Sequence, residues 1–226
     1  GELGEKRMSL LSFREVAFSH DASGALEWSS VRKVWFGFVI DGKGLGKVKL
    51  NRILLSCMPF RPEKPVSIMA RDASKWSLAS DPAVTKEKSG IEVDGTPCVK
   101  FSFTFPGGRH MYFTPEQVVP ELEYSAYSGI RLTVKATTPK GIDGLLVQLR
   151  EAGGGTYCAT PKPNPTGAWQ SVDIPFAEFN LASWTKDANG AFDMDLMRSI
   201  SVGAHGGAAG KGGDGEITIK GIEIIP

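Results

Sequence analysis

The middle and end of the chain alternate. Val99, Phe101, Phe103 and Phe105 stand against Lys100, Ser102 and Thr104, the period of two that puts one face of a strand in a core and the other toward water. Ile130, Leu132, Val134 and Ala136 against Arg131, Thr133 and Lys135 give the clearest strand. Leu145, Val147 and Leu149 alternate with Leu146, Gln148 and Arg150. Residues 109–113 and 156–160 read as shorter strands next to the turns Pro106-Gly107-Gly108 and 153–155, while 115–127 reads as a connection. Upstream, 31–40 and the run Val48, Leu50, Ile53 form a hairpin across the glycine turn 41–46. No helical period lasts a dozen residues; only 176–181 suits a single helical turn. Many short strands with Gly and Pro turns predict an all-β fold, an antiparallel β-sandwich of the jelly-roll kind.

Part of this pattern occurs twice. Residues 21–38 lie on 187–204 without a gap, with Asp21/Asp187, Ala22/Ala188, Gly24/Gly190, Ala25/Ala191, Arg32/Arg198 and Gly37/Gly203 identical. A match over one supersecondary unit points to duplication of a module. The expected organisation is 1–60 as the C-terminal part of a first module, 61–74 as a linker carrying Pro62 and Pro65, and 75–226 as a complete module. The apolar residues of the partial module need cover, so they are expected to pack on the second module or on another copy of the chain.

The net charge is +1 with both signs spread along the chain, which provides no basic stripe for phosphates and makes nucleic acid an unexpected partner. The longest apolar run, 34–40, is far shorter than the ~20 residues of a membrane-spanning helix. GELGEKRM carries no signal-peptide pattern. Cys57, Cys98 and Cys158 have no metal-ligand spacing and read as free thiols, with one bridge at most. Catalysis has little to stand on: with His20, His110 and His205 there is neither a nucleophile elbow nor a metal-binding His pair. The glycine-rich 205–215 has His205 and Gly212 where a phosphate loop needs Gly and Ser or Thr. Asp187, Asn189, Asp193 and Asp195 present oxygens suited to a cation, but their spacing lacks the order of a calcium loop and reads as a turn in which Asp and Asn bond their own backbone.

The motif W-x-x-V-x-I-P-F-x-x-F (Trp169, Val172, Ile174, Pro175, Phe176, Phe179), then Ile200 and Val202, then Gly215, Ile217, Ile219, Ile222 and Ile224, resembles galactose-binding-like jelly rolls. It is similar in particular to family 11 type carbohydrate-binding modules, and the complex I intermediate-associated protein family shares the signature. Trp169, Pro175 and Phe176 are read as serving the core and the strand corner. The resemblance implies a non-catalytic module that binds polysaccharide or oligosaccharide on a concave sheet face, within a larger secreted or cell-surface polysaccharide-degrading protein. A catalytic domain or second chain is then a further contact. It brings no cofactor; the structural calcium of many such modules is not expected, because Gly221 and Arg52 stand near where relatives carry Asp. The residues it suggests for sugar are Gln148 and Arg150, opposite the core face of their strand, and His205, at the end of 200–204. Arg109, His110, Tyr112 and Tyr157 on neighbouring strands and Trp184 in a loop complete the set. Two other readings remain: a structural or protein-interaction module of the same fold, and a small glycosidase or lyase.

Overall fold

A computed structural model describes residues 62–139, 142, 144–161, 167–206 and 212–226. The expected partial repeat, with the strands expected at 31–40 and 48–53 and the packing expected for them, lies outside the described residues, as does Cys57. The described residues belong to one compact unit, Phe60–Pro226.

This unit is a sandwich of two antiparallel six-stranded sheets, a jelly roll. Its strands are β1 (Val66–Ser67), β2 (Trp76–Ser80), β3 (Thr85–Val93), β4 (Thr96–Phe105), β5 (Tyr112–Val118) and β6 (Gly129–Thr137), followed by β7 (Leu146–Glu151), β8 (Thr156–Ala159), β9 (Trp169–Pro175), β10 (Asn180–Leu181), β11 (Met197–His205) and β12 (Gly213–Ile225). Sheet 1 runs β3-β4-β12-β6-β9, with β1 paired to the far end of β12. Sheet 2 runs β10-β8-β7-β11-β5-β2.

Alternation sets the two inner faces. Phe101, Phe103 and Phe105 from sheet 1 meet Trp76 and Phe113 from sheet 2 in an aromatic seam: Trp76 and Phe101 pack edge to face at 5.1 Å, and Phe103 stacks on Phe113 at 4.8 Å between centroids. Ile130, Leu132, Val134, Ile217, Ile219, Ile222 and Ile224 extend the core along sheet 1, and Val147, Leu149, Ile200, Val202 and Ala204 line sheet 2. The period of β12 breaks between Ile219 and Gly221, where a bulge keeps the isoleucines on both sides of it facing inward.

Several expectations need correction. Within the expected linker, residues 66–70 are held to the sandwich. Val66 and Ser67 pair with Ile224 and Glu223, Ile68 is buried in the core, and Gln117 reaches across to hold the segment. Its amide donates to the Ile68 carbonyl at 2.7 Å, its oxygen accepts from the Ala70 N–H at 2.6 Å, and the Trp76 indole donates to the Ala70 carbonyl at 2.8 Å. Buried polar groups on strands outside the connector thus depend on it. Residues 109–111 precede the strand, and β5 runs through Pro115 into what reads as a loop. Proline fits there because the β5–β11 ladder lapses opposite it, between the pairs Ser201↔Glu116 and Ala204↔Phe113, so the missing N–H costs no sheet bond. The single turn expected at 176–181 is a 3-10 turn at Phe176–Glu178 followed by β10. Phe176 is buried, but Trp169 is on the outer face of sheet 1, opposite Lys135 and 36% exposed, with the Lys220 ammonium 5.7 Å from its ring centre.

Candidate functional site

The outer face of sheet 2 gathers five of the eight sequence candidates. Ile200, Val202 and Ala204 occupy the core side of β11, so Ser199, Ser201, Gly203 and His205 take the other. The pairing then places Gln148 opposite Ser201, Arg150 opposite Ser199 and Tyr112 opposite His205. His110 joins from the turn before β5, its Nε2 3.3 Å from His205 Nδ1.

A floor of small side chains lies under taller ones. Ser199, Ser201 and Gly203 run along the central strand, with Thr114 beside them on β5, and all four are buried. Arg150 reaches diagonally over this floor, bringing its Nη1 to 3.4 Å from Glu116 Oε2 on β5. The Ser199 hydroxyl donates to the other oxygen of Glu116, and the Ser201 hydroxyl donates to Gln148 Oε1 at 3.1 Å. Half of the Arg150 side chain stays accessible, against a fifth of Glu116, so the guanidinium is oriented by one carboxylate and keeps free N–H groups. Tyr112, 42% exposed, stands at the other end of the face. Desolvation, and secondarily the neighbouring His110, hold the His205 imidazole below its usual range. Cys158, opposite Gln148 on β8, is a free thiol pushed up by burial, and Cys98 is free as well.

The other candidates fall elsewhere. Arg109 sits at the rim with its guanidinium on Asp81 at 2.7 Å, away from the floor. Trp184 is 67% exposed in the turn after β10, where Thr185 bonds back to Ala182 and to Thr156 of β8. Tyr157, expected on the binding face, points into the core at 3% exposure, because it pairs with the inward Leu149 rather than with Gln148 or Arg150. Its ring packs on Phe192 and its hydroxyl donates to Asp187 at 2.6 Å. Burial first, then the Asp187 carboxylate, pushes the Tyr157 phenol above its usual range. Glu116, by contrast, is a central member of the face that sequence reading leaves in a connection, since Pro115 hides the strand around it.

The acidic stretch 187–195 is bound to the protein itself. Asn189 accepts from the Ala191 N–H at 2.9 Å and donates to Asp193 at 3.0 Å, and Asp195 accepts from the N–H and hydroxyl of Ser125. Glu151, 3% exposed, accepts from the Asp193 N–H at 3.0 Å, while its Oε1 has no donor among the described residues and the Asp187 carboxylate is its charged neighbour. Desolvation foremost, then the like charges of Asp187 and Asp193, hold Glu151 above the usual carboxylate range, whereas the Tyr157 hydroxyl foremost holds Asp187 below it. A raised carboxyl favours folding below its unfolded value, and that contribution is lost as pH climbs through the folded one. Glu151→Gln offers Asp187 an N–H without the charge. It is therefore expected to raise stability by about 1 kcal/mol at neutral pH, and the gain should shrink toward pH 4. Urea unfolding at both pH values checks this; a gain that does not depend on pH would reject a raised Glu151 carboxyl.

A concavity of about 440 Å³ lies on the outer face of sheet 1 between Thr85, Ser102, Asp214 and Glu216. Its polar groups satisfy one another: Lys100 pairs with Glu216 at 2.6 Å and the Thr104 hydroxyl donates to Asp214 at 2.7 Å. Among the described residues, no three His, Cys, Asp or Glu side chains converge as a metal centre, and no helix is long and apolar enough to cross a membrane.

No family model matches the chain, and no curated protein does. Solved structures match in fold. A family 11 carbohydrate-binding module from Clostridium thermocellum, in complex with a β-1,3-1,4-mixed-linked tetrasaccharide, is similar with a TM-score of 0.53 and 16% identity, over 70% of this chain and 94% of that one. The family 11 module of a cellulosomal cellulase of the same organism gives a TM-score of 0.55 and 16% identity, over 74% of this chain and 95% of that one.

Proposed function

We propose that this protein binds a glycan on the outer face of sheet 2, without catalysis of its own, as the carbohydrate-binding part of a larger secreted or surface polysaccharide-degrading protein. The observation that carries this reading is the Glu116–Arg150 pair laid over a floor of serines. A pyranose needs hydrogen bonds to its hydroxyl ring and an apolar surface for its C–H face. Arg150, Gln148 and Glu116 supply the first, and Tyr112 at the end of the face supplies the second. Glu116 neutralises the guanidinium, which suits a neutral sugar better than a uronate. The sandwich shape shared with a module in complex with a mixed-linked tetrasaccharide supports the same ligand class.

The test is affinity electrophoresis of the chain against plant, algal and bacterial polysaccharides, with Arg150→Ala and Gln148→Ala beside it. Retardation by one polysaccharide class is expected, weakened at least tenfold in Arg150→Ala, which corresponds to about 1.4 kcal/mol. Binding that survives in both variants would remove the site from this face. Indifference to every polysaccharide would leave a docking module for a partner domain.

A further inference from the structure

The two histidines at the end of sheet 2 have a geometry that sugar binding does not require. His110 Nε2 and His205 Nδ1 approach to 3.3 Å, with the rings tilted by 50° and their centroids 5.5 Å apart, so the nitrogens converge and the faces do not stack. A tetrahedral zinc ion with Zn–N bonds of about 2.0–2.1 Å holds two ligand nitrogens roughly 3.3–3.4 Å from each other. The backbone already fixes both residues. His205 ends β11 opposite Tyr112, the Gly206 N–H donates to the Met111 carbonyl at 2.7 Å, and Met111 is wholly buried between His110 and Tyr112. Arg109, the residue before His110, is tied to Asp81.

We propose that His110 and His205 chelate a divalent transition ion, zinc foremost, at this end of the sheet. A neutral imidazole carries its proton on either nitrogen. With the protons on His110 Nδ1 and His205 Nε2, the two facing nitrogens are bare, and the ion enters without displacing a proton. No third His, Cys, Asp or Glu converges with them among the described residues, so the other positions of the ion belong to water or to oxygens of a ligand. Two imidazoles and no carboxylate select against calcium and magnesium, which take oxygen donors. Sequence spacing cannot show this site, since 95 residues separate its halves. The proposal goes beyond the glycan reading and stands if that reading fails.

The test is calorimetric titration of the full chain with zinc chloride, read together with the histidine imidazole nitrogen shifts by NMR. One equivalent of zinc should move the His110 and His205 signals and leave His20 in place, with calcium chloride moving none of them. His110→Gln and His205→Gln, each able to keep one hydrogen bond, should each weaken zinc at least tenfold while leaving the melting temperature nearly unchanged. If His205→Gln fails to fold, His110→Gln, in the turn outside the strand, carries the test. Undiminished zinc affinity in His110→Gln, or zinc shifts confined to His20, would overturn the proposal.

Discussion

Gly203→Ala is expected to cost the sandwich about 3 kcal/mol or more, a large part of the stability of an ordinary domain. A Cβ on residue 203 would lie 2.0 Å from the Phe113 carbonyl oxygen and 2.8 Å from the Thr114 Cα, both backbone atoms of the adjacent strand. No side-chain rotation relieves this, so β5 and β11 would have to separate at the place where their ladder already lapses. The urea midpoint should fall accordingly, and the melting temperature by roughly 6–12 °C. Gly90→Ala is the control: on edge strand β3 a Cβ meets nothing within 4 Å, and its effect should stay within about 0.5 kcal/mol. Equal midpoints for the two variants would mean that the strands do not approach so closely. Gly203 is also part of the floor of the proposed sugar face, so its lack of a side chain keeps the strands together and the face low.

Phe103→Ala should be costlier, about 3–5 kcal/mol, because the ring stacks on Phe113 and touches Phe105 in the seam that joins the sheets. Its neighbour Gly215 makes the result more specific. The two residues are paired across β4 and β12, and a Cβ at 215 would lie 2.2 Å from the tip of the Phe103 ring. The ring therefore covers the glycine. Gly215→Ala should be destabilising alone and nearly harmless, or even helpful, once Phe103→Ala has vacated the space. The cycle should show a coupling of about 1–3 kcal/mol, measured by urea unfolding of the two single variants and the double variant. Strictly additive losses would place the ring elsewhere.

How much of this could be read from the sequence depended on burial. Strands β4, β6 and β7 bury one face completely, so their alternation is clean and their inward and outward residues follow from it. Gln148 and Arg150 are assignable to one face for that reason, and His205 follows from the Ile200, Val202, Ala204 alternation of β11. Strand β3, TKEKSGIEV, is an edge whose sides are both largely wet, so it has no hydrophobic period to read. Glu116 was hidden by Pro115, which signals a loop unless it is known that the neighbouring ladder lapses there. Tyr157 shows the other limit: in a four-residue strand the inward side is set by register against β7, and register is a property of the pair. Trp169 reads as core from the motif it opens, yet it stands on the outer face with the ammonium of Lys220, 51 residues away, over its ring.

Gln117 has a consequence for how such a module can be moved between proteins. Both ends of its amide, and the indole of Trp76, are spent on the backbone of 68–70. A cassette cut at the first regular strand of sheet 2 would leave those buried groups without partners and expose the edge of β12 that Val66 and Ser67 protect. Gene fusion or domain shuffling that keeps the fold must therefore carry residues 66–70 along, as a clasp on the sandwich.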